Sequence, residues 1–170
     1  MSGTVLVAFA SMYGSTKEVA EAIASALRNA GVDVDVKPAR DVKKLDGYDA
    51  VVLGAPLIVH KFQKDARSFL SRHEKVLKSL PVAVFALGPC KNPRDEDEWR
   101  DCTGQFDAVL AQLGWLEPVA AELFGGRFDP ALLKFPFNKM AGSEPASDAR
   151  DWGAIRAWAG GLPALFERSA

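Results

Sequence analysis

The sequence predicts a doubly wound α/β fold, in which a parallel five-stranded sheet carries helices on both faces. Three continuous apolar runs, Val5–Ala10, Ala50–Ala55 and Val82–Leu87, have the length of strands that are buried on both faces. Segments with helical spacing separate these runs, and parallel strands require right-handed crossovers of that kind. With 170 residues, of which 48% are hydrophobic, the chain is expected to form one domain over residues 1–170.

Composition and charge exclude several classes of protein. A net charge of −1, without a cluster of Lys or Arg, excludes the basic surface that nucleic acid requires. The two cysteines, Cys90 and Cys102, do not make a disulfide framework. Because the first strand begins almost at the N-terminus, without a charged and then apolar leader, a cytoplasmic protein is expected.

The elements of the first half follow from their apolar spacing. The run from Val5 leads into a helix, because apolar residues recur at helical intervals up to Leu27. Val32–Lys37 alternates Val with Asp or Lys, which predicts a strand near a sheet edge. Phe62–Leu80 is amphipathic and predicts a helix that ends before Pro81.

The second half continues the alternation. A helical pattern runs over residues 95–114, and Val119–Phe124 predicts the fifth strand. Arg127–Ala149 has no clean period and contains three prolines. A last helix is predicted from Trp152 to about Phe166, with Asp148 as its N-cap.

The loop Ser11–Thr16 stands between the first strand and its helix and is rich in hydroxyl groups. The N–H groups of a first helical turn have no partner within the helix, and the helix dipole favours an anion there. Three hydroxyls, those of Ser11, Ser15 and Thr16, can donate to a monophosphate. A second interpretation stays open, since Ser15 and Glu18 have the spacing of a capping box.

Other phosphate-binding and phosphorylated sites at this position are excluded by residue type. A nucleoside triphosphate loop needs a Gly-Lys pair, which the sequence lacks, and a dinucleotide fingerprint needs three glycines where only Gly14 is present. A receiver domain of this topology needs acidic residues after the first and third strands. Those places are Ala10-Ser11 and Gly54-Ala55.

The segment Ser11-Met12-Tyr13-Gly14-Ser15-Thr16, followed by an amphipathic helix, resembles the FMN phosphate loop of the flavodoxin superfamily. Tyr13 stands where that loop usually has Thr, which removes one hydroxyl near the phosphate. Several further stretches are similar to the menaquinone-dependent protoporphyrinogen oxidase branch, namely Gly54–Phe62, Trp115–Pro118, Gly125–Phe128, Lys139–Gly142 and Asp151–Trp152. The resemblance implies a flavodoxin-like sheet with strand order 2-1-3-4-5 and a bound FMN.

The resemblance also implies which residues contact FMN. The first loop would hold the phosphate, through Ser11, Met12, Tyr13, Gly14, Ser15 and Thr16. The second would lie along one face of the isoalloxazine, with a backbone group near Val59-His60 reaching flavin N5, through Pro56, Leu57, Ile58, Val59 and His60. The third would pack on the other face or the pyrimidine edge, through Leu87, Gly88, Pro89, Cys90 and Lys91. No catalytic acid or base and no metal site is predicted.

The function implied by the resemblance is electron transfer between a porphyrinogen-type substrate, FMN and a quinone. The second loop is mainly aliphatic and the third has no aromatic residue, which favours an open flavin face over a shielded electron carrier. Two alternatives stay open: an electron carrier that has no substrate of its own and works with a reductase, and a flavodoxin-fold binding module with weakened FMN affinity.

The segment 127–141 interleaves apolar and basic residues. It predicts at most a peripheral contact with the inner face of a membrane. The alternative is a loop that packs its apolar residues onto the core.

Overall fold

Residues 3–135 and 137–169 are described by a computed structural model of the chain. The first half contains β1 (Thr4–Phe9), α1 (Ser15–Asn29), β2 (Asp33–Pro38), a 3₁₀ turn (Ala39–Asp41), β3 (Ala50–Ile58), β4 (Lys61–Phe62) and α2 (Lys64–Leu77). The second half contains β5 (Val82–Leu87), α3 (Glu96–Gln112), β6 (Ala120–Phe124), β7 (Arg127–Phe128), a 3₁₀ turn (Pro130–Leu132), α4 (Phe137–Met140), β8 (Ser147–Asp148) and α5 (Trp152–Ser169).

The main sheet runs in the order β2-β1-β3-β5-β6 with all five strands parallel. The predicted fold class and strand order are therefore confirmed, since β5 and β6 are the fourth and fifth parallel strands. β2 lies at one edge, and its residues alternate between exposed and half-buried as its sequence predicts. β4 adds an antiparallel extension to the end of β3, and β7 and β8 form a separate two-stranded sheet.

Two hydrophobic layers cover the sheet. α1 and α5 pack on one face, where Ile23, Leu27 and Ile155 are fully buried. α2 and α3 pack on the other face through residues such as Phe69 and Phe106. This arrangement brings the loops after β1, β3 and β5 to the carboxyl edge of the sheet, where open parallel sheets bind ligands.

The start of α5 and the start of α2 differ from the prediction. The N-cap of α5 is Asp151, whose Oδ1 accepts a hydrogen bond from the N–H of Ala154 at 2.9 Å. The prediction of Asp148 as the N-cap is wrong, because this residue lies in β8 and its carboxylate pairs with Arg150. α2 begins at Lys64 and not at Phe62, because Phe62 pairs with Leu57 in the β3–β4 hairpin.

Within the described residues, none of the helices has the length and apolar character needed to span a membrane.

Candidate functional site

The first loop turns sharply from β1 into α1. Gly14 is the N-cap of α1 and has φ of 92°, a left-handed conformation that glycine adopts without strain. Its N–H donates to Oγ of Ser11 at 2.9 Å, which closes the loop on itself. The predicted strand, turn and helix are therefore present, with the helix N-terminus directed at the carboxyl edge of the sheet.

The capping-box interpretation is wrong. Ser15 is the first helical residue, the N-cap is Gly14, which has no side chain to cap α1, and the N–H of Glu18 donates to the carbonyl of Gly14. The Glu18 carboxylate instead pairs with Arg127 and Arg150. A left-handed glycine replaces the Ser side chain as the helix start, so the hydroxyl groups of the loop are not needed to cap the helix.

Thr16 is the most informative residue of the loop. It is only 1% exposed, yet its Oγ1 has no hydrogen-bond partner among the described residues. A buried hydroxyl without a partner costs about 1–3 kcal/mol, so such a group needs an explanation. In the first turn of α1, beside free backbone N–H groups, the explanation that the chemistry favours is an anion that accepts from this hydroxyl.

A cavity of about 250 Å³ opens beside this loop. Ser11 and Gly14 line it from the first loop, Lys17 and Arg40 add two cationic side chains, and Asp65 adds one carboxylate. Met12 is 49% exposed, while Tyr13 and Ser15 are half-buried. The surroundings of the loop are thus polar, and their two cations outnumber the one carboxylate, which suits a phosphate dianion.

The second loop is a tight hairpin between β3 and β4. Val59 and His60 form its two-residue turn, with φ of 47° and 62°. Two consecutive positive values define a type I′ turn, which normally needs Asn or Gly. A β-branched residue in this conformation is strained by about 1–3 kcal/mol, and such strain concentrates at functional sites.

Exposure varies along the second loop. Pro56 and Leu57 are half-buried, Ile58 is 37% exposed, and Val59 is 82% exposed. Phe62 is buried in the core, with its ring centroid 6.2 Å from that of Phe106, so it does not cover the predicted flavin face. The apolar surface on this loop is therefore aliphatic, as the sequence predicts.

The third loop follows β5 and is held by neighbours on several sides. Leu87 and Pro89 are buried, while Gly88 and Cys90 are half-buried and Lys91 is exposed. The Glu98 carboxylate accepts from the N–H groups of Cys90 and Lys91, each at 3.0 Å. Glu98 was missed by sequence reasoning, because nothing local marks a residue seven positions beyond Lys91 as the partner of this loop.

The thiol of Cys90 points toward Gly88, to whose carbonyl Sγ donates at 3.2 Å. Burial, together with the nearby negative charge of Glu98, raises the pKa of this thiol to about 12. We expect iodoacetamide at pH 8 to alkylate Cys90 about a thousandfold more slowly than an ordinary cysteine, because that much less thiolate is present.

The rate should keep rising well above pH 9, where an ordinary cysteine reaches its plateau, and should become normal after unfolding in urea. Mass spectrometry of the alkylated peptide measures it. A rate that is half-maximal near pH 8.5 in the folded protein would contradict the burial of this thiol.

A network of charges ties the segment after β6 to α1. The Arg150 side chain is 4% exposed and pairs with Glu18 and Asp148, and the pairing lowers the pKa of the Asp148 carboxyl. Arg127 Nη1 lies 3.6 Å from the Glu18 carboxylate, and its Nη2 lies 3.2 Å from Asp129. The network spans 132 positions of sequence between Glu18 and Arg150, so no local pattern predicted it.

The segment 127–141 does not pack all its apolar residues onto the core. Leu132 is 42% exposed and Phe135 is 73% exposed, and Lys139 Nζ lies 5.7 Å from the centroid of the Phe135 ring. Pro136 lies outside the described residues. The packing alternative is therefore wrong for Leu132 and Phe135.

A larger cleft of about 770 Å³ lies along the outer edge of β6, on the far side of the third loop. Lys91 and Arg94 line it, but both already pair with acidic side chains of α3 or its N-cap. The buried Arg150 also lines it and is paired as described above. All three of these cations are therefore paired, so none of them offers a free positive charge that would compete with the first loop for an anion.

The chain is similar to known proteins in family, sequence and fold. The model of a family described as "Flavodoxin domain" matches residues 6–139. Protoporphyrinogen IX dehydrogenase [quinone] of Escherichia coli (strain K12) is 29% identical over 84 residues, which are 48% of this chain and 46% of that protein. NAD(P)H dehydrogenase (quinone) of Acidovorax ebreus (strain TPSY) is 31% identical over 90 residues, 40% of this chain and 45% of that protein.

The chain thus matches somewhat less than half the length of these curated relatives. Among solved structures, oxidised Flavodoxin 1 from Bacillus cereus superposes with a TM-score of 0.57 at 17% identity, covering 98% of this chain and 99% of that one. This similarity shows the fold.

Proposed function

This chain belongs to the flavodoxin domain family, and we propose that it binds FMN at the carboxyl edge of its sheet and acts as an FMN-dependent oxidoreductase. The residues of the three loops fit that group. The first loop holds the phosphate, while the second and third loops hold the isoalloxazine. FMN, when bound, supplies the redox chemistry, and the protein binds, orients and tunes it.

The unpartnered hydroxyl of Thr16 is the observation that carries this proposal. It is buried in the first turn of α1, where backbone N–H groups also lack partners within the helix. A phosphate dianion accepts from the hydroxyl and from the N–H groups together, and the helix dipole stabilises its charge. Lys17 and Arg40 line the cavity beside the loop and add positive charge to the site.

The second loop contributes its backbone and an aliphatic surface. The strained turn at Val59-His60 holds its peptide groups in one fixed orientation, which suits a backbone contact to flavin N5. Ile58 and Val59 leave the neighbouring surface apolar and exposed. A planar apolar molecule such as a quinone has room to approach a flavin bordered in this way.

The direct test of FMN binding is reconstitution. Purified protein is saturated with FMN, passed through a gel-filtration column and examined by visible spectroscopy. We expect the flavin absorbance to elute with the protein, at one equivalent, and the melting temperature to rise. Free FMN eluting separately, with an unchanged melting temperature, would refute the proposal.

For the reaction, we propose electron transfer from a porphyrinogen-type organic substrate to a quinone. The two quinone-linked relatives support this class. An anaerobic assay with protoporphyrinogen and a menaquinone analogue should show formation of protoporphyrin that depends on FMN.

If the loaded protein instead exchanges electrons only with a flavin reductase, it is a flavodoxin-type carrier, a candidate that the match to the flavodoxin domain family supports.

We also propose that the segment 127–141 makes a peripheral contact with the inner face of a membrane, from the cytoplasm. The exposed Phe135 lies near the ammonium group of Lys139, and Leu132 adds a second exposed apolar side chain. Aromatic and cationic side chains together favour an anionic membrane surface. Cosedimentation with phosphatidylglycerol vesicles should exceed that with phosphatidylcholine vesicles and should fall in Phe135→Ser. Equal recovery with both vesicles, or no effect of the substitution, would contradict the contact.

A further inference from the structure

We propose that Glu98 is a positioning residue of the FMN site, an inference that rests on the proposed function. Its carboxylate fixes the third loop and accepts hydrogen bonds from two backbone N–H groups, which could otherwise donate to the flavin. It thereby weakens the binding of reduced FMN relative to oxidised FMN.

The two hydrogen bonds from the third loop to the Glu98 carboxylate form what we call the Glu98 clamp. One carboxylate oxygen of Glu98 accepts from the N–H of Cys90 and the other from the N–H of Lys91, each at 3.0 Å. Glu98 lies in the first turn of α3, and its own N–H donates to the N-cap carboxylate of Asp95 at 2.9 Å. The side chain is half-buried, so the two bonds are partly protected from water.

The rest of the third loop is engaged as well. The N–H of Gly88 donates to the carbonyl of Phe124 at 3.1 Å, and the carbonyl of Pro89 accepts from Gly126 at 2.6 Å. The carbonyl of Cys90 accepts from the Ser147 hydroxyl at 2.6 Å. With these groups occupied, the N–H groups of Cys90 and Lys91 are donors that the loop could offer to a ligand only if Glu98 released them.

The consequence for FMN follows from electrostatics. Reduced flavin carries more electron density in its ring than oxidised flavin, so N–H donors stabilise it and nearby negative charge destabilises it. Glu98 acts in the same direction twice, because it occupies the donors and places a carboxylate behind the loop. The clamp therefore lowers the reduction potential of the bound cofactor.

The test compares Glu98→Gln with Glu96→Gln. Glutamine keeps the shape of Glu98 but has one acceptor oxygen, so one amide loses its partner. Glu96 lies two residues before Glu98 on the same helix, is exposed and pairs only with Arg94 among the contacts described, which makes it the matched control. Glu98→Asp restores the carboxylate and serves as the conservative variant should Glu98→Gln fold poorly.

Two measurements are made on each protein. Amide hydrogen exchange without flavin should be about tenfold faster or more at Cys90 or Lys91 in Glu98→Gln, as expected for a lost bond to a charged acceptor, and unchanged in Glu96→Gln. Dissociation constants of oxidised and reduced FMN should then show reduced FMN gaining about tenfold relative to oxidised FMN, which equals about 30 mV for a two-electron couple. Glu98→Asp should return both values toward those of the wild type.

Unchanged exchange in Glu98→Gln would overturn the clamp. Faster exchange with an unchanged ratio of the two dissociation constants would overturn the link to FMN and leave Glu98 a purely structural residue. If the wild-type protein binds no FMN, the proposed function fails and this inference with it, an outcome distinct from either of the others because it is seen before any variant is made.

Discussion

Thr16→Val is expected to weaken FMN binding by about 10- to 100-fold while leaving the apo-protein at least as stable as the wild type. The loss corresponds to one hydrogen bond from the hydroxyl to a charged phosphate, about 1.5–3 kcal/mol. Valine has nearly the shape of threonine and lacks the unpartnered polar atom, so the free protein loses no hydrogen bond. A residue that serves binding at the expense of stability behaves in this way.

The measurement combines fluorescence titration of FMN with urea unfolding of the apo-protein. Thr103→Val, at an exposed position of α3, is the matched control and should change neither quantity much. Riboflavin, which lacks the phosphate, should bind Thr16→Val and the wild type equally. An unchanged affinity for FMN in Thr16→Val would mean that this hydroxyl does not meet the phosphate.

Gly54→Ala is expected to destabilise the protein by about 3 kcal/mol, at the upper end of what overpacking costs. A Cβ on Gly54 would lie 1.9 Å from Cζ of Phe85. The Phe85 ring is fully buried and has little freedom to yield, since the rings of Phe124 and Trp158 lie 6.1 and 6.3 Å from it between centroids. The free energy of unfolding from urea titrations measures the effect.

Gly160→Ala is the control for Gly54→Ala. Gly160 lies inside α5, and beyond that helix's own backbone a Cβ there meets nothing within 4 Å among the described residues. This substitution should stabilise the protein by about 0.5–1 kcal/mol, because alanine loses less backbone entropy in a helix. A Gly54→Ala protein as stable as the wild type would contradict the close packing of the Phe85 ring against Gly54 of β3.

The elements with strong periodicity were predictable from sequence. β5 has the predicted bounds, because Pro81 and Gly88 mark the two ends of a short apolar run that is buried on both faces. The β3–β4 hairpin was not predictable, since Val59-His60 contains neither Gly nor Asn, the residues that mark a type I′ turn. There the surrounding sheet imposes a conformation that the local sequence disfavours.

The candidate site was only partly predictable from the sequence. The hydroxyl-rich loop marked the place where an anion would bind, but only the fold shows that Gly14 caps α1 and that the Thr16 hydroxyl is left without a partner. Contacts between distant segments left no local signal. Arg150 and Glu18 illustrate this, because their pairing depends on α5 and α1 packing on the same face of the sheet.

The most direct test of the central claim is the affinity of the wild-type apo-protein for FMN compared with riboflavin. The two ligands share the isoalloxazine and differ in the phosphate, so the ratio of their dissociation constants isolates the first loop. We predict that FMN binds at least about 100-fold more tightly, as two or more charge-assisted hydrogen bonds would give. Equal affinity for the two flavins, or no binding of FMN, would contradict a phosphate site at Ser11–Thr16.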